Sequence, residues 1–84
     1  MKIHELKTND FYFKQVFEGR KHFELRKDDR DFDKLDVLHL REIDKDLEYT
    51  GRECLARVTS ILKNYQGLEK GFCIMSIQLL SRED

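Results

Sequence analysis

Along the chain, apolar and polar positions alternate, shift to helical spacing, and then alternate again, and these changes of period outline the fold. Residues 1–7 alternate loosely, which predicts a short strand that Thr8-Asn9-Asp10 interrupts. Phe13, Val16 and Phe17 then fall on one helical face, with Thr8 expected as N-cap and Asp10 at the positive end of the helix dipole. Gly19 supplies the left-handed residue that ends such a helix. From Lys21 to Arg26 the period returns to two, with Phe23 and Leu25 on one face and His22, Glu24 and Arg26 on the other. The expected result is a half-buried strand whose charged row is exposed.

The remaining pattern predicts further strands. Leu35 to Glu42 alternates again, setting Leu38 and Leu40 against Val37, His39 and Arg41, after the polar loop Lys27-Asp28-Asp29-Arg30-Asp31. Asp44 to Glu48 with Tyr49-Thr50-Gly51 reads as a connection, and Arg52 to Leu62 as a strand with Cys54, Ala56 and Val58 on one face. Asn64 to Gly71 makes a loop, Phe72 to Leu80 is apolar enough for a central strand buried on both sides, and Ser81 to Asp84 is expected to fray. Phe11, Phe13, Phe17, Phe23 and Phe72 are assigned to the core by spacing. The fold class is α+β: about five strands forming a small barrel or strongly curved sheet, with one helix after the first strand.

Length confines all of this to a single domain spanning residues 1–84. Composition changes the picture in one respect: 16 basic and 17 acidic residues cancel to a formal charge of −1, so no global field draws in nucleic acid or a membrane. An anion must then be bound locally. Cys54 and Cys73 lie in strand-like runs without zinc or CxxC spacing, which reads as buried thiols in a reducing compartment. No apolar run approaches the ~18 residues of a membrane span and no signal peptide is visible, so the expectation is a cytoplasmic monomer without membrane, metal or cofactor.

Candidate chemistry concentrates in Gly19-Arg20-Lys21-His22-Phe23-Glu24-Leu25-Arg26. On its strand Glu24 projects with Arg26, two positions on, and Lys21 stands at the strand's entry, so a carboxylate lies between two cations. The cations suit a phosphate and the carboxylate suits the amino edge of a base, although such a row also forms ordinary solvated ion pairs. The segment resembles the Gly-x-Lys-x-x-Glu-x-Arg pattern of ASCH (activating signal cointegrator homology) domains. The opening Ile3 to Lys7, the loop Asp28 to Phe32, Leu38 to Glu42 and Tyr49 to Arg52 are similar to a small bacterial and phage branch of that family. The resemblance implies a PUA-like pseudobarrel, with RNA or a modified nucleotide as partner.

Further candidates surround this centre. Arg41 and His39 share the outward face of the third strand and extend the cluster only if that strand pairs with the second. Lys7 and His4 read as surface residues, with Lys7 kept as a candidate contact. Tyr65 either offers a ring for base stacking or covers a core edge, and Asp29 and Arg30 either staple their loop or reach a ligand. The alternative to a binding module is a hydrolytic enzyme on the same cleft, ribonuclease or nucleoside amidohydrolase-like, using Lys21 and Glu24. In the amidohydrolase type a threonine nucleophile follows the lysine by three positions, and Glu24 stands there instead. Glu24 would then act as base on a water, or His22 or His39 would supply ribonuclease acid–base groups by converging on it. A third class is a regulatory protein-interaction domain. Asp44, Asp46 and Glu48 mimic the start of a calcium loop, but Tyr49 stands where glycine is required. The three histidines offer no metal-binding spacing.

Overall fold

The computed structural model describes residues 1–83. The elements follow in the order β1 (Ile3–Asn9), α1 (Asp10–Phe17), β2 (Phe23–Lys27), β3 (Val37–Ile43), β4 (Tyr49–Lys63) and β5 (Phe72–Glu83). They build one mixed sheet of five strands in the order β1-β3-β4-β5-β2. β1 runs parallel to β3, and the other pairs are antiparallel. The sheet curls into a half-barrel, and its two end strands approach without forming a backbone ladder.

Side chains close that seam instead. Arg26 Nη1 donates to the Lys7 carbonyl at 3.3 Å and Arg30 Nη1 to the Glu5 carbonyl at 2.8 Å, so guanidinium groups cap the free edge of β1. Arg30 thus staples its loop to the sheet. Inside the curve, Phe13 and Val16 of α1 pack on Leu6, Phe32, Leu38, Leu40, Cys54, Ala56, Val58, Cys73, Met75 and Ile77.

The helix starts one residue later than expected at its cap. Asn9, not Thr8, is the N-cap, its Oδ1 accepting from the Tyr12 amide at 3.1 Å, because Thr8 points inward and its hydroxyl accepts from Arg26. Gly19 ends the helix as expected, at φ 78°, with its amide on Val16 O and the Arg20 amide on Gln15 O.

Several other expectations are overturned. In β2 the faces are inverted: Glu24 is 2% exposed, whereas Phe23 and Leu25 are 50% and 54% exposed. β2 is an end strand at the seam, so its inward face meets a polar cleft instead of the apolar core. Phe11 is also exposed, while Phe13 is fully buried and Phe17 and Phe72 are half-buried. Phe32, from a loop with no periodicity, fills the core instead. β5 alternates, burying Cys73, Met75 and Ile77 on one face only, because the half-barrel has a single interior. Ser81 to Glu83 continue β5 opposite Glu53 to Leu55, since β4 is long enough to pair them; Asp84 lies outside the described residues. Tyr49 to Gly51 are strand as well, with Tyr49 paired to Ile43 of β3 across a register shift.

Far from being a surface residue, His4 is buried, with Nε2 2.9 Å from Asp36 Oδ2 and its ring edge-on to Phe32. Asp36 also accepts from the Lys2 and Asp33 amides. Burial opposes its ionisation, but the bonds from His4 and these amides outweigh it and hold the carboxyl below its ordinary range. Cys54 and Cys73 are free and buried, and burial, with the Glu24 carboxylate second, pushes the Cys54 thiol up to about 11. No helix among the described residues is long and apolar enough to cross a membrane.

Candidate functional site

The seam between β1 and β2, roofed by α1, is a cleft of about 440 Å³. Its lining comes from three consecutive elements: Lys7, Thr8 and Asn9 of β1, Tyr12 and Gln15 of α1, and Lys21 with Phe23 to Arg26 around β2. The local sequence explains the convergence. The Gly19 turn ends the helix abruptly and returns the chain past Lys21 into β2, so the helix and both end strands enclose one volume.

Glu24 forms the floor. Lys21 Nζ lies 3.2 Å from Oε1, and Arg26 Nε lies 3.0 Å from Oε2, so each oxygen accepts from a different cation. The side chains are 3% exposed at Glu24, 11% at Lys21 and 24% at Arg26, which makes this a sheltered triad and not a solvated row. Arg26 reaches on across the seam, Nη2 donating to Thr8 Oγ1 at 2.9 Å. Lys21 is flanked by aromatic faces, Nζ standing 5.0 Å from the Tyr12 ring centre and 5.2 Å from that of Phe23. Tyr12 and Phe23 are each about half exposed at the mouth.

The polar groups have unused capacity. Asn9 employs its carbonyl oxygen as the helix cap and Gln15 donates its amide nitrogen to Phe11 O, which leaves the Asn9 amide nitrogen as a donor and the Gln15 oxygen as an acceptor. The cleft therefore offers donors, acceptors and aromatic edges in one place.

Of the residues singled out from sequence, Lys21, Glu24 and Arg26 meet in this cleft; Lys7 borders it, its carbonyl accepting from Arg26, but its side chain belongs to the outer face, with Nζ 5.7 Å from the Tyr49 ring centre. Arg41 does not reach it. β3 pairs with β1 and β4, not with β2, and Arg41 lies on the opposite, outer face of the sheet. There its guanidinium stacks 3.7 Å from the Tyr49 ring centre and approaches Glu5 at 3.6 Å and Glu53 at 3.8 Å. His39 lies on that face too, bonded to Glu53 at 2.8 Å. Tyr65 is exposed in the turn between β4 and β5 and does not line the cleft. His22 borders a separate hollow with Val16, Ile77 and Leu79.

Sequence reasoning missed Thr8 as the anchor of Arg26 and Tyr12 as part of the aromatic mouth. The one available signal was position, since both flank the strand-to-helix junction opposite Lys21. Among the described residues no group of three or more His, Cys, Asp or Glu is placed to hold a metal.

Comparison with known proteins adds kinship. An Escherichia phage P2 protein described as an uncharacterized 12.9 kDa protein in the GpA 3′ region is 43% identical over 60 residues. That stretch covers 71% of this chain and 54% of the phage protein, so the chain spans about half the length of that relative. Residues 3–77 match the family described as a domain of unknown function, DUF3850, a span that takes in every residue of the cleft. The chain belongs to the DUF3850 family.

Proposed function

We propose that this domain is a binding module for RNA or a modified nucleotide, built on a small PUA-like barrel, with the cleft between β1, α1 and β2 as its ligand site. The observation that carries the reading is Glu24, buried on the cleft floor and clamped by Lys21 and Arg26 below the exposed rings of Tyr12 and Phe23. Cations attract phosphate, a carboxylate accepts from the amino edge of a base, and rings stack on its face. Stability alone gives little reason for the cluster, because buried ion networks are commonly replaceable by apolar side chains without loss. The volume supports the same reading: about 440 Å³ falls within the range of roughly 300–1,000 Å³ typical of small-ligand sites. The ASCH-like pattern of residues 19–26 supports it further. A formal charge of −1 argues for a short or single-nucleotide ligand over long, salt-driven binding.

Binding is favoured over turnover because both Glu24 oxygens are engaged by cations. Neither histidine considered for acid–base work stands beside it, with His39 on the outer face and His22 in another hollow. The test is calorimetric titration of wild type, Lys21→Ala and Glu24→Gln with nucleosides, nucleotides and short single-stranded RNAs. Wild type is expected to bind at least one of them, with the variants weaker by about tenfold and still folded by circular dichroism. Absence of wild-type binding across the panel refutes the reading, and Glu24-dependent turnover of a probe transfers the site to the hydrolytic class.

A further inference from the structure

The helix has a second flank, away from the cleft. There the half-buried ring of Phe17 meets two arginines, the guanidinium carbon of Arg52 lying 4.5 Å from its centre and that of Arg82 5.7 Å. Strand pairing brings the two together. Arg82 of β5 stands opposite the buried Cys54 of β4, so Arg52, two positions before Cys54, is its diagonal neighbour on the inner face of the sheet.

Both cations hold donors in reserve. The Arg52 side chain makes no hydrogen bond among the described residues: its Nε is buried without a partner, and Glu42, which approaches it at 3.8 Å, already accepts from Thr50 Oγ1 at 2.6 Å. Arg82 donates from Nη1 to the Phe17 carbonyl at 3.1 Å and enters none of the ion pairs formed among the described residues. The helix end beside them presents no bare acceptor to an anion. The Lys14 carbonyl is taken by the Glu18 amide, that of Gln15 by the Arg20 and Lys21 amides, that of Val16 by the Gly19 amide and that of Phe17 by Arg82.

Between this pair and the cleft lies a hollow of about 170 Å³. Lys21 lines both the hollow and the cleft, Val16 and Gly19 form its helix side, and Ile77 and Leu79 form its floor on the strand that runs on to Arg82. A path therefore leads from the cleft, past Lys21 and around the C-terminal end of α1, to the two guanidinium groups.

We infer that the ligand is a short single strand of RNA: with one nucleotide in the β1–α1–β2 cleft, the strand follows this hollow and sets a backbone phosphate against Arg52 and Arg82. This rests on the reading that the cleft binds nucleotides. Guanidinium suits the role, because its planar fork takes two phosphate oxygens at once.

Calorimetry of wild type, Arg52→Gln and Arg41→Gln with nucleoside monophosphates and unphosphorylated RNA trinucleotides, at several salt concentrations, tests this. Arg52 has no side-chain hydrogen bond to lose, and circular dichroism checks that its variant is folded. Wild type is expected to bind trinucleotides about tenfold tighter than monophosphates, with a log–log salt slope steeper by about 0.7 for the added phosphate contact. Arg52→Gln is expected to remove most of both differences while changing monophosphate affinity by less than about twofold. Arg41→Gln, on the outer face, is expected to leave both differences in place. Amide shifts of wild type give a readout free of any variant: Phe17, Arg52 and Arg82 are expected to respond to trinucleotides and not to monophosphates. Trinucleotides no tighter than monophosphates, equal losses for the two ligands in Arg52→Gln, as large a loss in Arg41→Gln, or no response at Arg52 and Arg82 overturns the inference and leaves the nucleotide reading standing. If no nucleotide or RNA binds wild type, both fail together.

Discussion

At Glu24 three ionic groups occupy the inward side of a strand whose neighbours in the sheet bury Cys73, Met75 and Ile77. Removing Glu24 takes the carboxylate from Lys21 and leaves Arg26 with only Thr8 Oγ1 and the Lys7 carbonyl, and the hydrogen bonds lost are charge-assisted ones worth about 1.5–3 kcal/mol each. Glu24→Gln is therefore expected to lower unfolding stability by about 2 kcal/mol. Replacing the whole set, as Lys21→Met with Glu24→Leu and Arg26→Met, is expected to recover most of that loss, because no charge is then stranded. Urea midpoints measured at unchanged slope decide between these outcomes. A triple variant much less stable than Glu24→Gln would mean that the triad is retained for the fold and not for a ligand.

Among the elements, α1 and the turn after it do most to shape the cleft. Gly19 holds φ 78°, a conformation that costs an L-residue about 1 kcal/mol, and its turn sends Lys21 back toward Glu24. Gly19→Ala is expected to lower stability by about 1 kcal/mol in thermal or urea unfolding, since nothing crowds the added methyl and the cost is conformational. This turn was legible in the sequence, as were the number of strands, the grouping of Lys21, Glu24 and Arg26, and the outward face of His39 and Arg41. The direction of β2 was not. A period of two says which residues share a face but not which face is inward, and the habit of turning Phe23 and Leu25 inside fails at a seam strand that borders a polar cleft. The parallel pairing of β1 with β3 was equally invisible, and it is what separates Arg41 from the cleft. Phe32 and Asp36 lie in a loop, where no periodicity marks a core residue or the carboxylate that binds His4.

For the molecule as a whole, the curled sheet leaves one open seam, and the same seam is both the weak edge of the barrel and the candidate site. Its N-terminal wall is secured by Asp36 through His4 and the Lys2 amide, which gives stability a defined acid limb. The folded Asp36 carboxyl titrates below its unfolded value of about 3.9, so the unfolded state binds the proton first as pH falls. Its contribution is thus complete above that value and disappears as pH drops through the lower folded one. Asp36→Asn is expected to be less stable at neutral pH and to show a shallower decline below about pH 4, as read from urea midpoints against pH. The central claim, that the β1–α1–β2 cleft is where this protein meets a nucleotide, is tested most directly by amide chemical-shift mapping during titration with nucleoside monophosphates and short single-stranded RNA. The account predicts saturable shifts at Lys7, Thr8, Tyr12, Lys21, Phe23, Glu24 and Arg26, with Arg41, Tyr49 and Tyr65 little changed. Saturable shifts centred instead on the outer face around His39, Arg41 and Glu53, or no shifts at all, would contradict it.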